Sequence, residues 1–183
     1  MAPIPRKLIL VYLVVNLLYN VRVYCDVDGD EDEEKEIKLI PSNNGRGFGS
    51  HFAWQNFDKG LEIAMLSQKP IMVIIHKSWC SACKALKPQF AASREIADLS
   101  EKFIMVNAGE REPPAKDPKF SPDGDYVPRI LFLSPTGELR LEFYNEAGDP
   151  AYKYFYSDTW SILATMNKVA QTYKKRERSK KEL

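Results

Sequence analysis

Ser78-Trp79-Cys80-Ser81-Ala82-Cys83-Lys84 sets two thiols one helical turn apart, and its flanks say what carries them. The preceding run, Ile71-Met72-Val73-Ile74-Ile75-His76, is short, β-branched and apolar as far as His76, which predicts a strand covered on both faces. The following run, Lys84-Ala85-Leu86-Lys87-Pro88-Gln89-Phe90, has helical spacing, so Cys80 falls at a helix N-terminus. Unpaired backbone N–H groups and the helix dipole favour an anion there. For a thiol that anion is the thiolate, the reactive species of disulfide exchange.

A bare C-x-x-C also fits half of a zinc site or a pair of inert core thiols. A zinc site needs two further Cys or His ligands, and besides the pair the chain offers only Cys25, His51 and His76. His76 is near in sequence, but a fourth ligand is lacking. The strand, motif and helix context therefore predicts a redox dithiol, with no metal and no other cofactor.

Three stretches carry a family resemblance: HKSWCSACKALKP (76–88), FSPDGDYVPRILFL (120–133) and YKYFY (152–156). Through them the chain, over about residues 47 to 160, resembles the small endoplasmic-reticulum thioredoxin-like proteins of the thioredoxin domain-containing 12 type, whose relatives are the anterior gradient proteins. The resemblance implies an α/β thioredoxin fold, a central mixed sheet flanked by helices, and thiol-disulfide chemistry in the secretory pathway. It also implies a cis Pro128 facing the C-x-x-C, with Val127 offering backbone to an extended client segment and Trp79 in contact with substrate. Read from the residues alone, a plain trans turn proline at a strand start is the preferred reading of Pro128, since cis is rare among X-Pro bonds. Ser81 stands where the relative has glycine, and is expected to be exposed and to tune the redox potential. Ile74 stands where thioredoxins carry a buried acid six residues before the first cysteine. Cys83 then lacks its usual proton acceptor, which implies slow chemistry or a proton route through water or His76.

Outward from the motif, the 183 residues, 44% hydrophobic, allow one domain with two tails. Arg6 and Lys7 precede an apolar run from Leu8 to Leu18, too short for the ~20 apolar residues of a spanning helix. Residues 1–25 are read as a secretory leader, cleaved after Cys25, with no stable membrane insertion. Earlier cleavage would leave Cys25 as an odd thiol. The mature chain would carry 23 basic against 25 acidic residues, a balance that points to no nucleic-acid partner. Eight of the eleven residues from Asp26 to Glu36 are acidic, and 26–46 is read as a solvated tail; a calcium-buffering role is the alternative, although the EF-hand pattern is absent.

Trp54, Phe57, Leu61, Ala64 and Met65 predict a helix face. Phe90, Ala91, Ile96 and Leu99 continue the face of the motif helix, interrupted at Pro88, and Phe103–Val106 reads as a parallel second strand. Residues 107–126 form a long polar loop, a candidate substrate rim. Arg129–Leu133 and the alternating Leu139, Leu141 and Phe143 predict a hairpin, followed by a last helix over 157–174 with Trp160, Leu163, Met166 and Val169 inward. The domain is thus placed at 47–174 and a basic tail at 175–183. Its end, Lys180-Lys181-Glu182-Leu183, differs from the retrieval sequence K-D-E-L at one place, which predicts an endoplasmic-reticulum lumen address read by a retrieval receptor.

Functionally, Cys80 is expected to attack from the exposed helix end and Cys83, a turn deeper, to resolve. His76 and Lys77 either add positive charge favouring the Cys80 thiolate or serve as polar strand caps. Expected partners are client proteins with cysteines or disulfides, and glutathione. The rival reading is a client-binding chaperone module of the anterior gradient kind.

Overall fold

The computed structural model describes residues 43–181. The expected leader, Cys25, the acidic run, Glu182 and Leu183 lie outside the described residues.

The apolar run Ile71–His76 forms strand β1, buried at every position. Helix α1 (Phe57–Ser67) precedes it, and helices α2 (Ser81–Ala92) and α3 (Arg94–Ser100) follow. Then come strand β2 (Ile104–Gly109), strand β3 (Arg129–Leu133) and the long helix α4 (Thr159–Lys181). Among the described residues the sheet has three strands in the order β2-β1-β3. β1 runs parallel to β2, with Ile71 opposite Ile104 and Ile74 opposite Asn107, and antiparallel to β3, with Ile74 opposite Ile130. The sheet is therefore mixed, as expected, with β1 at its centre.

A central strand must bury both faces, and strand alternation divides its side chains between two cores. Met72 and Ile74 join Met105, Ile130 and Phe132 on one face, under Leu86 and Phe90 of α2 and Ile162, Met166 and Val169 of α4. Ile71, Val73 and Ile75 join Ile104, Val106, Leu131 and Leu133 on the other, under Ile63 and Ala64 of α1. A fully buried Phe90 on α2 meets Phe48, Phe52 and Trp54, with ring centroids 5.2–5.9 Å apart. These contacts tie the N-terminal segment to the helix that bears the thiols.

Several expectations are corrected. The α1 face is Gly60, Ile63 and Ala64, with Phe57 and Leu61 half-buried; Met65 points to solvent. Trp54 is buried but precedes the helix, because Asn56 caps it by accepting from the Lys59 N–H. The apolar face after the motif belongs to two helices, since Ser93 ends α2 and caps α3 through the Ile96 N–H. The hairpin is reduced to one bridge, Leu133 to Leu139, held by Ser134 N–H to the Glu138 carbonyl and Arg140 N–H to the Phe132 carbonyl. A turn from Arg140 to Phe143 then breaks the alternation and leaves Leu141 exposed. The buried stripe of α4 is Ile162, Met166, Val169 and Tyr173, with Leu163 half-buried and Trp160 exposed.

The domain boundaries also move. Asn43–Gly45 forms a turn of 3-10 helix whose Asn44 and Gly45 carbonyls accept from Asn107, so the tail expected to reach residue 46 ends sooner. Residues 175–181, expected as a basic tail, continue α4.

Candidate active site

Cys80 is the N-cap of α2: its backbone is extended, and its sulfur accepts from the Cys83 N–H at 3.2 Å. A cap satisfies one of the orphan donors at a helix start, and here the acceptor is the reactive atom itself. The Cys80 thiol donates to the Val127 carbonyl at 3.5 Å. That carbonyl belongs to the cis Val127–Pro128 peptide, where the resemblance places it. Both cysteines are free thiols, and their depths differ in the expected sense, although Cys80 is less open than expected at 8% exposure against 0% for Cys83. Ser81, beside them, is exposed as anticipated.

Burial, the largest cause, pushes the Cys83 thiol up to about 12, and the Cys80 thiol beside it adds to the rise. Ile74 is fully buried in the layer that includes α2, so no carboxylate occupies that position to take the Cys83 proton. The charge that opposes the rise comes from Lys87, one turn beyond Cys83 on the same helix. Sequence reasoning passed over Lys87, although its i, i+4 spacing from Cys83 was the available signal.

His76 does not supply the positive charge considered for it. It is 5% exposed, its Nε2 bonds the Asn107 Oδ1 at 2.8 Å, and its ring lies 5.2 Å from that of Phe48. Burial, reinforced by the Lys87 charge, lowers its pKa to about 4, so the imidazole is neutral at physiological pH. Lys77 lies over the Trp79 indole, its Nζ 5.3 Å from the ring centroid. Trp79 is 66% exposed, and its indole N–H donates to Glu110 at 3.1 Å.

A cleft of about 570 Å³ opens beside Val127, whose carbonyl accepts from the Cys80 thiol. Ile75, Lys77, Glu110, Pro118, Asp125 and Val127 are among the residues that line it. The long connection expected as a substrate rim does border this cleft, ordered in part by the 3-10 turn Pro118–Phe120.

Arg129 was read only as the first residue of a strand, yet it is fully buried. Its Nη1 donates to the Gly124 and Tyr126 carbonyls at 2.9 Å each, and its Nη2 to the Ser121 hydroxyl at 2.9 Å. Asp125 lies 3.6 Å from the guanidinium and is itself largely exposed. The same segment is tied from its other side: the Tyr126 hydroxyl donates to Asp123 and accepts from the Tyr154 N–H at 3.0 Å.

No group of side chains suited to hold a metal ion occurs among the described residues, and no helix among them is long and apolar enough to cross a membrane.

A dithiol at a helix N-terminus, opposite a cis proline on a mixed sheet, defines a thioredoxin-like protein, and residues 53–135 match the thioredoxin-like family model. Anterior gradient protein 3 of Xenopus tropicalis is 39% identical over 74% of this chain and 81% of its own length, and the human anterior gradient protein 2 homolog is 31% identical over 94% and 96%. The chain belongs to the anterior gradient family of thioredoxin-like proteins. Among solved structures, a thioredoxin from Thermus thermophilus is similar at 18% identity and a TM-score of 0.46, covering 63% of this chain and 85% of its own.

Proposed function

We propose that the protein is a thiol-disulfide oxidoreductase of the endoplasmic-reticulum lumen, with chemistry of the thioredoxin domain-containing 12 type. It exchanges disulfides with client proteins and glutathione. One observation carries the reading: the Cys80 sulfur sits on the α2 N-terminus, 3.2 Å from the Cys83 N–H and 3.5 Å from the Val127 carbonyl at the edge of a cleft. The leader at residues 1–25 and the retrieval sequence Lys180–Leu183 support the compartment. Receptor capture belongs to the same proposal.

The Cys80 thiolate attacks one sulfur of a client disulfide. A Cys80–client disulfide forms, and the other client sulfur leaves as a thiolate that takes up a proton. Cys83, once deprotonated, attacks the Cys80 sulfur and expels the second client thiolate. The client disulfide has gained two electrons, and Cys80–Cys83 is the new disulfide. Two glutathione thiols reverse the change and become glutathione disulfide. The N–H of Cys83 and the α2 dipole stabilise the Cys80 thiolate at the start and when it departs. Val127, Pro128 and Trp79 flank the path of the client segment, Val127 through its backbone.

A second reading is favoured by the thiol of Cys83, which burial holds at about 12. A resolving thiol so rarely ionised prolongs the mixed disulfide, as a client-retaining module of the anterior gradient kind would require.

The test is trapping. Cys80→Ser abolishes reduction of a peptide disulfide coupled to glutathione, whereas Cys83→Ser makes the first attack and accumulates mixed disulfide, seen as a mass increase under non-reducing conditions. Equal trapping by both variants would overturn the assignment of roles. A wild-type protein that accumulates the adduct as Cys83→Ser does would select the retaining module.

A further inference from the structure

A buried guanidinium directly after the cis proline calls for an explanation, because removing a charge from water is costly unless its donors are matched. Arg129 matches three contacts to one short segment: the Gly124 and Tyr126 carbonyls and the Ser121 hydroxyl. Its Nε has no protein partner, and its ion pair is with a carboxylate largely exposed to water. A strand start could carry any apolar residue, as the rest of β3 does. The planar fork of arginine reaches two carbonyls and a hydroxyl together, which the single ammonium of lysine does not. Ser121, Asp125 and Val127 of this segment line the cleft, and the Val127 carbonyl accepts from the Cys80 thiol.

We propose that Arg129 is a positioning residue for client recognition: it holds 121–127 so that the Val127 backbone and the cleft wall meet an extended client segment beside Cys80. The inference rests on the dithiol reading. It assigns Arg129 no contact with the reacting sulfurs. Its effect is therefore selective: a client that uses the Val127 backbone depends on Arg129, and a small disulfide that does not is indifferent to it.

The full chain carrying Arg129→Gln, Arg129→Lys or Ser121→Ala is assayed with two substrates, an extended peptide whose cysteine is disulfide-linked to glutathione, and hydroxyethyl disulfide, which has no peptide backbone. Arg129→Gln removes the three guanidinium contacts and raises KM for the peptide at least about tenfold, the factor that even one lost charge-assisted hydrogen bond gives, and leaves the rate with hydroxyethyl disulfide unchanged. Arg129→Lys lies between it and wild type, and Ser121→Ala raises the peptide KM about threefold, as loss of a weaker share of the clamp requires. Amide hydrogen exchange over 121–127, relative to β1, is faster in the Arg129 variants whether or not the protein is active. Equal loss on both substrates, or unchanged exchange over 121–127, overturns the proposal. If the Arg129 variants do not fold, Ser121→Ala decides alone, and an unchanged peptide KM overturns it. Wild-type protein inert toward both disulfides instead sinks the dithiol reading, and exchange still tests the clamp.

Discussion

Cys80 and Cys83 differ by one helical turn and by what each sulfur meets. Cys80 meets an N–H and the carbonyl of Val127, which lines the cleft, while Cys83 is fully buried. In the mixed disulfide Cys80 no longer carries a thiol, but burial, the main cause of the raised Cys83 pKa, persists. Resolution then requires a thiolate that is scarce at neutral pH. The rate of mixed-disulfide resolution should rise about tenfold per pH unit from pH 7 to 9, since the ionised fraction grows in that proportion well below the pKa of about 12. A thiol raised from 9.0 to about 12 stabilises the fold fully below pH 9, and that contribution is lost as pH climbs through 12. Ile74→Asp tests whether proton transfer limits. A carboxyl at that buried position has a raised pKa and accepts the Cys83 proton as it attacks, so resolution between pH 6 and 8 becomes faster and less steep in pH. The substitution loses apolar burial of about 2 kcal/mol and adds desolvation, so the variant is first shown to be folded by its near-ultraviolet dichroism. An unchanged rate in a folded variant would place control in client binding or in the redox potential.

At the scale of elements, the legible parts were those whose own residues fix their surroundings. The run Ile71–Ile75 is apolar without interruption, so no partition of its side chains leaves one face polar, and β1 lies at the sheet centre with both faces covered. Cys80 as the α2 cap was legible for the same local reason. The misread elements had two candidate registers. Trp160, Leu163, Met166 and Val169 keep a step of three, and each such step turns about 300° rather than a full circle, so the series walks around the helix. The series Ile162, Met166, Val169 and Tyr173 alternates steps of four and three, stays on one face, and is the one buried. Arg129 and His76 escaped for another reason. Charged and polar residues are usually exposed, and what reverses this is partners that only the fold supplies: Asn107 for His76, and the 121–126 carbonyls and hydroxyl for Arg129. The register of α4 gives a direct test. Trp160→Ser should change unfolding free energy by less than about 0.5 kcal/mol, whereas Met166→Ala should cost about 2–5 kcal/mol, read from urea unfolding. A Trp160→Ser cost as large as that of Met166→Ala would restore the register expected from the step of three.

For the whole molecule, the proposed function needs two addresses that take no part in the chemistry. The proposed leader at residues 1–25 would deliver the chain to an oxidising lumen, where a dithiol can cycle, and the proposed retrieval sequence Lys180–Leu183 would return it there. The fold is compatible with the second address: the last buried side chain of α4 is Tyr173, and those described after it, Lys174, Lys175, Arg176, Arg178 and Ser179, are exposed. The buried stripe described for α4 thus ends at Tyr173, seven residues before Lys180. The truncated protein should appear in the medium of secreting cells, with disulfide exchange and unfolding midpoint equal to those of the full chain. A second arm separates the two addresses. Deleting residues 1–25 as well should leave the protein inside the cell, because a receptor that works in the secretory pathway never meets a chain that has not entered it. Continued retention of the form lacking only its last four residues would refute retrieval through that sequence. Secretion accompanied by lost activity would instead show that the end of α4 contributes to the fold.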